Sequence, residues 1–241
     1  MITKNQVKYI QSLGQKKCRD AEQVFVAEGP KLVHELLMAE NCKLVHVYAL
    51  KEWINNSKAN VEITEVTADE LQKISQLTTP NHVLAIAKKI EWEGEPVVKG
   101  NVSLALDEIQ DPGNMGTIIR LADWFGVKNI FCSMDCVDAY NSKVVQASMG
   151  SIARVRVEYT ELSSRLKNNN EVNIYAAVLN GTDITKMEKL SEGIIVIGNE
   201  SKGIREDVRR LSNAQITIPG KGKAESLNAA VATGIILSHL V

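Results

Sequence analysis

Three polar stretches, far apart in the chain, carry side chains whose types and spacing could do chemistry. The first runs Leu106-Asp107-Glu108-Ile109-Gln110-Asp111-Pro112-Gly113-Asn114 and continues to Arg120. An apolar strand enters an Asp-Pro-Gly-Asn turn, and a helix starts there. Turn-making and capping account for Asp111 to Asn114 by themselves. Arg120 adds a planar, permanently charged fork suited to gripping a phosphate. With Asn114 six residues before it, both side chains are expected near the helix N-terminus, which is itself an anion site.

The second stretch is Ile194-Ile195-Val196-Ile197-Gly198-Asn199-Glu200-Ser201-Lys202-Gly203. A wholly apolar strand ends in a glycine-flanked loop bearing one glutamate. The glycines suit close backbone approach to a ligand or positive φ; the plainer alternative is a tight turn with a solvated Glu200. The third stretch runs from Ile216 to Asn228 through Pro219-Gly220-Lys221-Gly222-Lys223, ahead of an apolar helix that reaches the C-terminus. Its Gly-Lys-Gly-Lys invites comparison with phosphate loops. Neither the Walker pattern nor the Gly-x-Gly-x-x-Gly dinucleotide pattern occurs anywhere. Ser226 is expected to cap the final helix. Asn228 is expected inside its first turn, where a buried amide needs a ligand or a crossing chain as partner.

The elements that must position these residues alternate. Up to about residue 90, helical patterns at 3–14, 30–39 and 68–76 interleave with strand patterns at 25–27, 44–48 and 82–87, a small α/β domain. Residues 91–100 break the pattern with two glycines, a proline and charges. The expected organisation is a domain over 1–92, a linker over 93–100 and a second domain over 101–241. In the latter, strands are expected at 102–106, 128–132, 153–157, 172–178, 193–197 and 214–218. Helices are expected at 114–125, 140–149, 160–167, 204–211 and 226–240. Such alternation implies parallel strands with right-handed crossovers, a doubly wound sheet whose ligands sit beyond the carboxyl ends of the strands. All three polar stretches fall at such ends.

Composition narrows the classes. The chain has 241 residues, is 44% hydrophobic and 24% charged, and carries a formal net charge of −1. A nucleic-acid partner would therefore need local positive charge. The densest candidate is the N-terminus, where Lys4, Lys8, Lys16, Lys17 and Arg19 face one acid, Asp20, although such a run also suits a solvated helix face. The cysteines Cys18, Cys42, Cys132 and Cys136 form no Cys-x-x-Cys pair, so neither zinc nor a disulfide framework is expected. With no long apolar stretch and no signal-peptide pattern, the expected compartment is the cytoplasm, without membrane attachment.

Taken in order, Asp-Pro-Gly-Asn-x-Gly-x-Ile-x-Arg, Ile-Gly-Asn-Glu-x-x-Gly-Ile and Ile-Pro-Gly…Glu-Ser-Leu-Asn resemble the SpoU/TrmH family of the SPOUT superfamily, over about 104–241. Lys17, Arg19, Phe25 and Glu28-Gly29 resemble its small L30e-like RNA-binding domain. The resemblance implies a knotted α/β fold, a deep trefoil that is an exception to unthreaded connections. It also implies a homodimer through the C-terminal domain and 2′-O-ribose methylation of RNA by S-adenosyl-L-methionine (AdoMet), with ribosomal RNA favoured over transfer RNA. On that resemblance the catalytic positions are Asn114, Arg120, Glu200, Ser226 and Asn228. The cofactor positions are Val178, Leu179, Asn180, Gly181, Gly198, Asn199, Ile218 and Leu227, and the RNA-binding positions Lys16, Lys17 and Arg19, with no metal. The chain departs from the family at Leu121, where threonine is frequent, and at Ala229-Ala230. An inactive RNA-binding protein of the same fold is the alternative, against which the presence of Asn114, Arg120 and Glu200 argues.

Overall fold

A computed structural model of the chain describes residues 2–56 and 61–241. These fall into two compact units: Met1–Trp92 with Asp138–Ala153, and Glu93–Val137 with Arg154–Val241. The first unit begins with α1 (Lys4–Ser12), α2 (Lys16–Glu22), β1 (Val24–Glu28) and α3 (Pro30–Met38). It continues with β2 (Leu44–Ala49), α4 (Lys51–Asn56), β3 (Ile63–Glu65), α5 (Ala68–Ile74) and β4 (Val83–Lys88). Its sheet has the order β1-β4-β2-β3. Thr3 and Thr67 start α1 and α5 with capping boxes closed by Gln6 and Glu70. The period of two along the strands sorts the core. Val24, Val26, Tyr48, Leu84 and Ile86 pack with Ile10, Leu13, Leu71 and Ile74. Their neighbours Val47, Ala49, Val83 and Ala85 pack on the other face with Val33, Leu37, Trp53 and Ile54.

The second unit comprises β5 (Val102–Leu106), α6 (Pro112–Trp124), β6 (Asn129–Cys132), β7 (Arg156–Tyr159) and α8 (Leu162–Lys167). It ends with β8 (Ile174–Asp183), β9 (Gly193–Ile197), α9 (Glu206–Arg209), β10 (Ala214–Thr217) and α10 (Ala229–Leu240). All six strands pair in parallel, in the order β10-β8-β9-β5-β6-β7. Strands β5, β6 and β9 are buried along their whole length, as expected of parallel strands covered on both faces. One face holds Ala105, Phe131, Ile174, Ile194 and Val196 against Leu162, Leu166 and Val208. Helices α6 and α10 pack on each other, with Leu121 seated over Gly234.

The alternation read from sequence is borne out, with local differences. Strand β7 lies later than expected because residues 151–153 close a 3-10 turn. Strand β8 runs on to Asp183, and α9 is a single turn in place of the helix expected over 204–211. The short elements α4 and β3 were not expected; neither has enough residues to show a periodicity. Residues 93–100 do not hang free. Arg156 donates to the Gly94 carbonyl at 2.6 Å, Asn129 to that of Val97 at 3.1 Å, and Val98 is buried in the second unit's core.

The inserted segment Asp138–Ala153 contains α7 (Ser142–Ser148) and packs within the first unit. The rings of Phe25 and Tyr140 lie 5.0 Å apart, and the Tyr140 hydroxyl accepts the Ile90 N–H at 2.9 Å. Arg19, only 2% exposed, donates to the Leu13 and Gly14 carbonyls, both at 2.9 Å, and to Asp138 at 2.5 Å. This corrects its expected place among RNA-facing cations: Arg19 holds the fold together, while Lys16 and Lys17 stay exposed. A buried pair that loses one partner leaves the other charge uncompensated. Asp138→Asn should therefore lower the unfolding free energy by about 3 kcal/mol in a denaturant titration; a loss within roughly 0.5 kcal/mol, as for a surface pair, would contradict this role.

Candidate active site

The site is assembled where two strands end side by side. Leu106 of β5 pairs with Ile197 of β9, and the Asp107 N–H continues the ladder to the Ile197 carbonyl at 2.9 Å. From β5 the chain winds outward through β6 and β7, then returns to the other side through β8, β9 and β10. Winding reverses at the β5/β9 pair, so the connections after these strands diverge and leave a crevice at their carboxyl ends. The turn leading to Asn114 rises on one side and the loop bearing Glu200 on the other.

A short amide relay spans this crevice. Asp111 caps α6, its side chain accepting the Asn114 N–H at 2.7 Å. Asn228 caps α10, its Oδ1 accepting the N–H groups of Ala230 and Val231 at 3.0 and 3.2 Å. That use of the oxygen fixes the amide's orientation, so its Nδ2 must point outward, and it donates to Asn114 Oδ1 at 2.8 Å. Asn114 Nδ2 is then turned toward Glu200 and donates to Oε1. Helix capping thus sets the direction of a donor chain that ends on a carboxylate. Asn114 and Glu200 are half-buried, and the second carboxylate oxygen of Glu200 has no protein partner among the described residues.

Two expectations about this end of the chain are corrected. Asn228, not Ser226, is the N-cap of α10, and Asn228 is exposed rather than buried within the first turn. The helix begins at Ala229, three residues later than the span expected from the apolar pattern. Ser226 lies in the exposed, irregular run that precedes it.

Arg120 is not brought to the relay. Because α6 starts at Pro112, Arg120 falls in its third turn and not at its N-terminus. It lies roughly 9 Å farther along the axis than Asn114 and about 240° around it. It is exposed and has no ion-pair partner among the described residues. Trp124, 81% exposed, follows one turn later. The relay instead borders a groove of about 500 Å³ between α6 and α10, lined by Asn114, Thr117, Leu121, Asn228, Val231 and Ile235.

The other expected positions cluster around the ends of β8, β9 and β10. Between Ala176 and Thr182, β8 leaves its ladder with β10, so Val178, Leu179, Asn180 and Gly181 form an excursion opposite the Gln215/Ile216 step. Thr217 Oγ1 donates to the Leu179 carbonyl at 3.0 Å. A Cβ at Gly181 would lie 2.7 Å from the Gln215 backbone, and one at Gly198 2.4 Å from that of Gly203. At Gly181 the β8 backbone lies against that of β10, and at Gly198 the Glu200 loop closes tightly on itself; neither position has room for a Cβ. Ile218 is half-buried, and Leu227 is 44% exposed. Asn199 is an organiser of the Glu200 loop: its Oδ1 accepts the N–H groups of Ser201 and Lys202, and its Nδ2 donates to the Glu108 carbonyl at 2.9 Å. Its side-chain amide is spent within the protein.

Sequence reasoning gave no role to Asp107 or Arg205, which form an ion pair beside this loop. The available signal was an acid placed directly after a wholly apolar strand. The hydrogen bond to Asp107 raises the Arg205 guanidinium above its ordinary pKa. Behind the same turn, the hydrogen bond from Cys132 lowers the Cys136 thiol to about 7, while burial raises Cys132.

Fold and site together define a doubly wound α/β domain with an amide–carboxylate centre at its switch point, in a chain that also carries a smaller α/β unit. The chain belongs to the SpoU rRNA Methylase family, whose model matches residues 101–238, and residues 4–85 match an MRM3-like substrate binding domain. It is 29% identical to the 23S rRNA (guanosine(2553)-2′-O)-methyltransferase RlmP of Bacillus subtilis, over 98% of this chain and 96% of that protein. A structure assigned to the TrmH family of RNA methyltransferases, from Porphyromonas gingivalis, is 35% identical with a TM-score of 0.87, covering 99% of this chain and 98% of that one. An AdoMet-bound rRNA methyltransferase from Sinorhizobium meliloti is 30% identical with a TM-score of 0.86, covering 99% and 95%. The family resemblance read from the three polar stretches is borne out.

Asn228→Ala would remove a helix cap and one member of the relay together. The expected cost is about 1 kcal/mol of stability by thermal or chemical unfolding. Asn228→Asp, which keeps the cap, should recover most of it; equal losses in both variants would contradict the capping assignment.

Proposed function

We propose that the chain transfers the methyl group of AdoMet to a ribose 2′-hydroxyl of ribosomal RNA. The observation that carries this reading is the Asn228–Asn114–Glu200 relay at the β5/β9 switch point, in a chain of this family. Ribosomal RNA is favoured over transfer RNA by the names of the B. subtilis and S. meliloti relatives.

The surroundings suit AdoMet. The Val178–Gly181 excursion frees a run of backbone from the β10 ladder, and Leu179 and Leu227 offer exposed apolar surface. Backbone groups at 178–181, Gly198 and Ile218, with Leu227 packing, would hold the cofactor. When bound, AdoMet supplies a methyl made electrophilic by its sulfonium. The protein's task is alignment and handling of the hydroxyl proton. Glu200, the only anion of the relay, is placed to accept a hydrogen bond from the ribose hydroxyl, and Asn114 and Asn228 hold it in orientation. Ser226, two residues before Asn228 in the chain, would add a hydroxyl for the substrate, and Arg120 takes a substrate phosphate.

Residues 101–241 carry the chemistry in this reading, and residues 1–92 gather the RNA through the exposed Lys16 and Lys17. The C-terminal chain forms a trefoil knot, a reading supported by the family match over residues 101–238 and by the close backbone approach of β8 to β10 at Gly181. Two copies pair through the C-terminal unit, where Trp124 and Val231 leave apolar surface uncovered on α6 and α10. The working compartment is the cytoplasm.

Calorimetric titration of the purified protein with AdoMet should show saturable binding, and no binding would overturn the reading. Arg120→Ala should abolish methylation while leaving AdoMet affinity within about twofold, because the arginine is assigned to RNA; full residual activity would refute that assignment. Replacing Lys16 and Lys17 by Gln should make the slope of log K against log salt shallower by about 0.7 for each RNA phosphate these lysines neutralise. An unchanged slope would return these lysines to the role of a solvated helix face.

A further inference from the structure

The loop that carries Glu200 is gripped at both ends by the turn that follows β5. At its far end stands Arg205. Its backbone N–H donates to Asp107 Oδ2 at 2.8 Å, while Nε and Nη2 reach Asp107 Oδ1 at 2.8 and 2.6 Å. Asp107 is 0% exposed, so one fully buried carboxylate receives three donors from one residue. At the near end, Asn199 donates to the Glu108 carbonyl, and between them Lys202 pairs with the Glu108 carboxylate at 2.8 Å. The loop is also closed on itself: Asn199 and Gly203 exchange backbone hydrogen bonds of 3.1 and 2.9 Å. Glu200 sits within this bracket.

The turn doing the gripping is itself braced. Glu108 adopts the left-handed conformation, φ 57°, which is uncommon for a residue with a side chain. Its N–H is taken by Ser133 Oγ at 3.0 Å, and that of Ile109 by Cys136 Sγ at 3.3 Å. The Ile109 carbonyl accepts the Val137 N–H at 2.9 Å. The residues that follow β6 thus hold 108 and 109, while 107 and 108 hold residues 199–205. A buried carboxylate is a costly way to secure a loop, and an apolar contact would serve stability as well. What the ion pair adds is geometry: a planar fork and a backbone N–H converging on one carboxylate define orientation as well as distance.

We propose that Asp107 and Arg205 are positioning residues for the methyl transfer, clamping the 199–205 loop so that the Glu200 carboxylate meets Asn114. The inference rests on the role given to Glu200 above. Arg205 is partly exposed and lies outside the apolar core, but its truncation leaves the buried Asp107 carboxylate uncompensated. Full-length Arg205→Ala and Arg205→Lys, each checked for native folding by circular dichroism, are therefore the variants to compare. With Arg205→Ala, kcat should fall by about tenfold or more, since small misplacements at a reacting centre cost this much. The KM values for RNA and AdoMet should stay within about threefold. Amide hydrogen exchange at Lys202 and Gly203 should speed up by about tenfold, with the strands unchanged. The backbone donor is present in both variants; Arg205→Lys also restores a positive charge facing Asp107 and should recover part of both effects. An unchanged kcat, a fall in kcat without faster loop exchange, or Arg205→Lys behaving like Arg205→Ala would each overturn the proposal. If the wild-type protein transfers no methyl at all, the proposed function fails; the exchange measurement then still reads the clamp, and unchanged exchange would overturn it too.

Discussion

The in-register parallel pairing of β5 with β9 is the constraint on which the rest of the site depends. It ends two buried strands at the same level and sends their continuations in different directions. Both strands are buried on both faces, so a one-residue slip would exchange the side chains packed on the two sides of the sheet and destroy their fit to the covering helices. The position of Asn114 relative to Glu200, 86 residues later, is therefore set by strand packing and not by any local preference.

On that frame, the polar chemistry is ordered by backbone groups that must be satisfied. The first N–H groups of α10 claim the Asn228 oxygen, which leaves its nitrogen for Asn114, which in turn leaves the Asn114 nitrogen for Glu200. A helix end would need a cap in any case. Here one cap polarises a chain of side chains toward a carboxylate. The Gly198 loop below it works by the opposite means, through the absence of side chains. No Cβ fits at Gly198, where the loop folds back on Gly203, or at Gly181, where β8 lies against β10, so backbone packs directly on backbone at both.

The smaller unit shows how burial decides what a charge does. Lys16, Lys17 and Arg19 lie within four positions of one another in sequence, yet two face solvent and the third is enclosed by two carbonyls and Asp138. The partner that encloses it comes from a segment 119 residues away, within a stretch that reads in sequence as part of the other domain. Asp107 and Arg205 make the same point in the larger unit. An acid after an apolar strand is visible in sequence; its arginine 98 residues later is not.

The sequence alone determined the α/β alternation, the span of β5 and β9, and the membership of Asn114, Glu200 and Asn228 in one family pattern. These depend on local periodicity and on short motifs whose order survives without coordinates. It misjudged the start of α10, and with it which of Ser226 and Asn228 makes the cap, because an apolar pattern marks where a helix packs and not where its hydrogen bonding begins. Tertiary structure alone decided that Arg120 stands apart from the relay, that Arg19 is buried, that the 138–153 segment completes the smaller unit, and that Asp107 holds the Glu200 loop. Each of these is a meeting, or a separation, of residues whose distance is set by the packing of whole strands and helices, and no spacing in the chain encodes it.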